Sequence, residues 1–236
     1  MIINLLILLV SYIPAILLFI FLSNNRKDDP AYKKDCLRLL GRGALSSFGI
    51  ALFSMVMNII GRLTHIGDNN PILWEVYRTF VIAAMVEEIV KYLTAKKMLK
   101  EREYKASWLD IISFMAISAL GFELLESLIY AIDTNIPQIL IRGVLMLHGI
   151  YGLIMGYFVG KSYKTGKKIY KYIGIITTMI LHGTYNFSLS KDLGDIGTFM
   201  ALGSVVLAVV ILIRMIIFIK KARNNEMYTE VMNLEN

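Results

Sequence analysis

Seven apolar stretches, each long enough to cross a bilayer as helix, constrain this chain more than any other feature. They cover residues 2–22, 39–60, 74–94, 108–132, 139–159, 169–189 and 196–219. A hydrocarbon core of about 30 Å needs about 20 apolar residues in helical form. The predicted fold is therefore all-α, a polytopic transmembrane helix bundle of about seven spans. Composition agrees, because a chain that is 56% hydrophobic and 18% charged is too apolar and too sparsely charged for a soluble domain. No internal repeat or long linker divides it. The expectation is one transmembrane domain over 1–236, with a functional core at about 74–190 and a short cytoplasmic tail at 220–236.

Charge placement orients the bundle. Arg26, Lys27, Lys33, Lys34, Arg38 and Arg42 flank the first two spans; Lys96, Lys97, Lys100, Arg102 and Lys105 lie between the third and fourth. Lys161, Lys164, Lys167, Lys168 and Lys171 separate the fifth from the sixth, and Lys220, Lys221 and Arg223 follow the seventh. Bases concentrated on alternate loops mark the cytoplasmic side. The amino terminus is expected outside and the carboxyl terminus in the cytoplasm. The same reading accounts for the net charge of +7 without a nucleic-acid partner. The first stretch lacks a basic start and a small-residue cleavage site, so it is expected to be retained as a span.

Against this apolar background, Glu87, Glu88, Glu123 and Glu126 are the acids that fall inside spans away from their ends, together with His148 and His182. An Asp or Lys at a helix centre costs roughly 2.5–3.5 kcal/mol on insertion scales. Lys91, at i+4 from Glu87 and i+3 from Glu88, can neutralise one carboxylate. Helical rise puts Glu87, Glu123, Glu126, His148 and His182 at about 10–16 Å below the outer edge. Four spans thus supply ionisable groups at one level. Glu123 taken alone reads as interhelical adhesive or as a neutral inward carboxyl. His148 divides evenly between packing and function, because Gly149, Gly152 and Gly156 recur at a spacing suited to helix contact. His65 belongs to an outer loop.

Carboxylates and imidazoles around a wet pocket can activate water and protonate a leaving amine, the work of peptide hydrolysis. An alternative uses Glu87, His148 and His182 as zinc ligands, so the expected cofactor is either none or Zn. HExxH and GxSxG are absent, and Cys36 has no activating neighbours. Asn186 follows His182 at i+4, and its amide can donate to a developing oxyanion. A different class, a proton- or cation-coupled carrier or sensor, would use the same buried groups as a relay. A third reading is a scaffold or bacteriocin-immunity protein with a decayed site.

The residues resemble a known family. Glu87-Glu88-Ile-Val-Lys91 is similar to the EExxK motif of PrsW-type intramembrane proteases. Phe122-Glu-Leu-Leu-Glu126, followed by Tyr130, resembles their FxxxE motif. His148 and His182 stand where the later histidine motifs fall, and His182-Gly-Thr-Tyr-Asn186 resembles the HxxxN element of the wider CAAX-protease and bacteriocin-processing superfamily. Prenyl endopeptidases of that superfamily have Arg after the Glu pair and His in the second motif. Lys91 and Glu126 stand there instead, which points to the PrsW branch. The resemblance implies a multi-pass protein of the bacterial plasma membrane that cuts a single-pass, anti-sigma-factor-like substrate on the extracytoplasmic side during stress. It also implies site roles for Glu87, Glu88, Glu126, His148 and His182, with Lys91, Phe122 and Asn186 in support.

Overall fold

A computed structural model describes residues 2–68, 70–101, 106–131 and 136–224, excluding the side chains of residues 2–5, 130, 137–139 and 141–142. Arg102, Lys105 and Asp133, the tail beyond Asn224 and the Tyr130 side chain lie outside the described residues. The described chain is helical: α1 (Ile2–Ser11), α2 (Ile13–Ser23), α3 (Pro30–Leu63), α4 (Pro71–Val76), a π-helical run (Tyr77–Met85), α5 (Val86–Glu101), α6 (Trp108–Ala131), α7 (Ile136–Leu145), α8 (Leu147–Thr165), α9 (Ile169–Ser188) and α10 (Gly194–Arg223). The expected all-α membrane bundle is what the chain forms.

Local sequence explains where these helices start. Asp29 caps α3 by accepting from Ala31 N and Tyr32 N at 3.0 and 3.1 Å, with Pro30 at the first helical position. Asn70 and Pro71 open α4 in the same way, Asn70 accepting from Leu73 N at 3.2 Å. Two expected spans are interrupted. The stretch 2–22 divides into α1 and α2, where Pro14 lacks the amide that would continue the ladder. The stretch 139–159 divides into α7 and α8 at Met146, whose φ of 39° and ψ of 46° are left-handed.

Five helices are long and apolar enough to cross a membrane: Leu6–Arg26, Pro30–Leu63, Trp108–Ile129, Gly143–Thr165 and Lys191–Arg223. The other two expected spans, 74–94 and 169–189, are helical but fall outside that set. They carry Glu87, Glu88 and Lys91 in one case and His182 and Asn186 in the other, and their polarity is the cost of holding those residues.

The most enclosed helices are α6 and α8, and they form the centre of the bundle. They approach closely because α8 turns glycines toward α6. A Cβ on Gly152 would stand 2.6 Å from Ala116 Cα, and one on Gly156 would stand 2.5 Å from Ile112 Cα. In lipid such contacts replace the hydrophobic drive that bundles in water use. Gly43 and Gly121 allow α3 to approach α6 in the same manner, against Ser118 and Leu40 backbone. Gly156→Leu should therefore lower the thermal midpoint of the protein in detergent, by about 1–3 kcal/mol of overpacking. An unchanged midpoint would show that the seam has slack.

One end of the bundle is held by charged clamps. Arg26 Nη2 and Nε reach the buried Asp110 at 2.6 to 3.1 Å. Arg223 donates to Asn25 Oδ1 at 2.7 Å, and Arg42 pairs with Glu101 between α3 and α5. These residues belong to the basic segments that charge placement assigned to one side. Among the described residues, the buried charges far from this end converge at a second place.

Candidate active site

Glu87 and Glu88 occupy the first turn of α5, directly after the π-helical run, and Lys91 follows one turn on. Wide π turns are rare and concentrate at functional sites. The three side chains are buried, with 7% of Glu87, none of Glu88 and 2% of Lys91 exposed. Lys91 Nζ donates to Glu88 Oε1 at 2.9 Å and to Glu87 Oε2 at 3.2 Å. One ammonium thus sits between two carboxylates, where the spacing alone predicts the neutralisation of one.

The third donor direction of Lys91 goes to α8, where Nζ lies 2.8 Å from His148 Nδ1. An ammonium only donates, so Nδ1 accepts and the ring proton sits on Nε2. That nitrogen lies 2.9 Å from Glu126 Oε2 on α6. From α9, His182 Nδ1 meets Glu88 Oε1 at 3.0 Å, while its Nε2 is 2.9 Å from Asn186 Nδ2 and 3.8 Å from Glu87 Oε2. In the tautomer with its proton on Nδ1, His182 donates to Glu88 and accepts from Asn186. The two imidazoles stand edge to face with centroids 4.9 Å apart.

Phe122 supports this network from below. Its ring lies 4.2 Å from Lys91 Nζ and meets His148 edge-on at 5.1 Å. A cation over an aromatic face gains more when desolvated, as here. The Lys91 carbonyl also accepts from Ser118 Oγ at 3.1 Å, which fixes α5 on α6.

Glu87, Glu126, His148, His182 and Asn186 line one cavity of about 550 Å³. That is far more than the ~10–15 Å³ a single water requires. Glu88 and Lys91 are not among the lining residues, and Glu88 Oε2 has no hydrogen-bond partner among the described residues. Every residue singled out in the sequence for the site therefore joins one cluster, drawn from α5, α6, α8 and α9.

Other contributors were only partly visible to sequence reasoning. Glu123, read as interhelical adhesive or as a neutral inward carboxyl, lines the cavity and accepts from Gly149 N at 3.2 Å, which places a carboxylate at the amino end of α8. The Met146 break creates that helix start and sets His148 in its first turn. Tyr151 stacks on His182 at 5.8 Å. Ser54, Asn58 and Arg78 line the same cavity. Ser54 and Asn58 carried a signal, as polar residues one turn apart in an apolar stretch.

The donor set suits a metal ion. One ligand atom from each of Glu87, His148 and His182 lies within 4.8 Å of the others. If His148 presented Nδ1, giving up its bond from Lys91, and His182 Nε2, giving up its bond from Asn186, each ring would keep a carboxylate on its remaining nitrogen, Glu126 and Glu88 respectively. Zinc sites use that backing to orient histidine ligands.

Fold and site together define a multi-pass membrane protein with an ionisable centre enclosed by its helices. A family model described as "PrsW family intramembrane metalloprotease" matches residues 35–216, and the chain belongs to the PrsW family. It is similar to Protease PrsW of Oceanobacillus iheyensis, 30% identical over 114 residues that cover 47% of this chain and 53% of the relative. The Shouchella clausii protein is 34% identical over 122 residues, 48% and 55% of the two chains, and the Bacillus subtilis protein 26% over 117 residues, 48% and 54%. The chain spans about half the length of the curated relatives it matches. No solved structure is significantly similar to it. With its membrane-crossing helices, this membership makes it a multi-pass protein of a bacterial membrane.

Proposed function

We propose that the protein is an intramembrane endopeptidase that hydrolyses a peptide bond in a single-pass membrane protein. The supporting observation is that Glu87, His148 and His182, from three separate helices, meet at the wall of one large cavity. Relatives that carry the name Protease PrsW favour the same activity. The substrate proposed is an anti-sigma factor, given a first cut on the extracytoplasmic side, with the bundle crossing seven times and its amino terminus outside. The whole chain is proposed as one domain with its catalytic core at about 74–190.

The chemistry follows from the contacts. Glu87 takes a proton from a cavity water as the water oxygen bonds to the scissile carbonyl carbon. Charge on the carbonyl oxygen is met by an N–H of Asn186, whose amide lies at the cavity wall beside His182. The C–N bond then breaks, and the leaving amine takes the proton from Glu87. Lys91 and Glu88 hold the position of this machinery, and Glu126 fixes the His148 ring through Nε2. A zinc ion held by Glu87, His148 and His182 would supply water acidified to near neutrality.

Co-expression with single-pass partners tests the proposal. Fragments should arise with the wild-type chain and be absent with Glu87→Gln. Substrate-independent ion flux in vesicles, with no fragments, would instead make the protein a carrier. Loss of cleavage with a chelator and its restoration by added zinc would favour a metal held by Glu87, His148 and His182; a rate indifferent to chelators would assign water activation to Glu87 without a metal.

A further inference from the structure

The outer half of α3 has a composition that lipid contact does not explain. Ala51, Leu52, Phe53, Met55, Val56, Ile59 and Ile60 are exposed, all of them apolar. Ser54 and Asn58 share the opposite, half-buried side and line the cavity that Glu87, His148 and His182 also line. Neither side chain ties α3 to another helix. Asn58 Nδ2 donates at 2.8 Å to the backbone oxygen of Ser54 in its own helix. Among the described residues, Asn58 Oδ1 and the Ser54 hydroxyl have no hydrogen bond to another element.

A peptide bond inside a membrane helix resists hydrolysis, because its carbonyl is engaged with an amide one turn on and its neighbours shield it. Cutting it requires a few residues of extended chain. In a bilayer each backbone group freed in this way costs several kcal/mol unless it finds a partner. Residues four apart on a helix are separated by about 6 Å along its axis. In an extended strand, groups that point the same way recur every ~6.6–6.8 Å, two residues apart. Ser54 and Asn58 are therefore spaced to meet successive same-side backbone groups of an extended chain in the cavity.

We infer that Ser54 and Asn58 bind the main chain of the substrate in its unwound form, in the cavity that Glu87 also lines. The inference rests on the endopeptidase reading and adds how that enzyme selects segments that unwind. The occupant is one extended stretch of a single-pass substrate. Its recognition is by backbone, so selectivity among side chains arises elsewhere.

The test uses two reporters with one transmembrane segment each, one uniformly helical and one with a Gly-Pro pair at the cut site. In the intact protein in liposomes, Asn58→Leu should lower kcat/KM on the helical reporter by about tenfold per lost hydrogen bond. The loss should shrink to a fewfold at most on the Gly-Pro reporter. Binding of both reporters, read in the uncleaving Glu87→Gln background, should show the same pattern. Equal losses on both reporters, or no loss on either, would overturn the inference. Asn58→Ala, run beside it, covers the case in which leucine disturbs folding, and the same comparison applies. Absence of fragments from both reporters with the wild-type chain would sink the endopeptidase reading instead, while the binding comparison would still report on Asn58.

Discussion

Glu87→Gln is expected to lower the rate of substrate cleavage by a factor of about 10²–10⁴, the usual worth of a general base. The variant should fold normally. Glutamine keeps the shape of the side chain, and Lys91 retains Glu88 at 2.9 Å and His148 at 2.8 Å, so the buried ammonium stays compensated. The substitution removes the longer of the two ion pairs that Lys91 makes, the one at 3.2 Å to Glu87. Fragment yield in liposomes and the thermal midpoint in detergent would be measured side by side. Cleavage at the wild-type rate would exclude Glu87 from the reaction, and a collapsed midpoint would make it a structural residue.

The second large effect is on stability. Lys91→Met should destabilise the protein by about 3–5 kcal/mol, the cost of leaving buried charge without its partner. Total stabilities of only about 5–15 kcal/mol make that a severe loss. Methionine fills the space over Phe122 but leaves Glu87 and Glu88 without their shared ammonium. Adding Glu88→Gln should recover part of the loss, since one of the two carboxylates is then neutral. Such coupling is what a double-mutant cycle reads. If Lys91→Met were as stable as the wild type, the ammonium would not be what compensates this pair.

Much of this arrangement was legible in the sequence. The apolar stretches gave the helices, and the i+3 and i+4 offsets of Lys91 put it within reach of Glu87 and Glu88, because helical spacing is local and stiff; that it pairs with both rather than one emerged only in the fold. Counting helical rise placed the acids and imidazoles at one level. What stayed hidden depended on contacts between distant segments. The Met146 break has no proline or glycine at its turning residue to announce it, in contrast to Pro14, which marks the first interruption. Without that break, the role of Glu123 at the start of α8 had no visible cause. Residues 74–94 and 169–189 read as spans by length; both are helical, and both fall outside the five helices long and apolar enough to cross a membrane.

The contacts from Glu126 through His148, Lys91, Glu88 and His182 to Asn186 run from one to the next without a gap. A centre wired in series cannot be dismantled piece by piece. Once one member is gone, its neighbours lose their orientation, and a second deletion finds little left to remove. Paired knockouts along this line should therefore converge on a common floor of residual activity, rather than multiply their separate penalties.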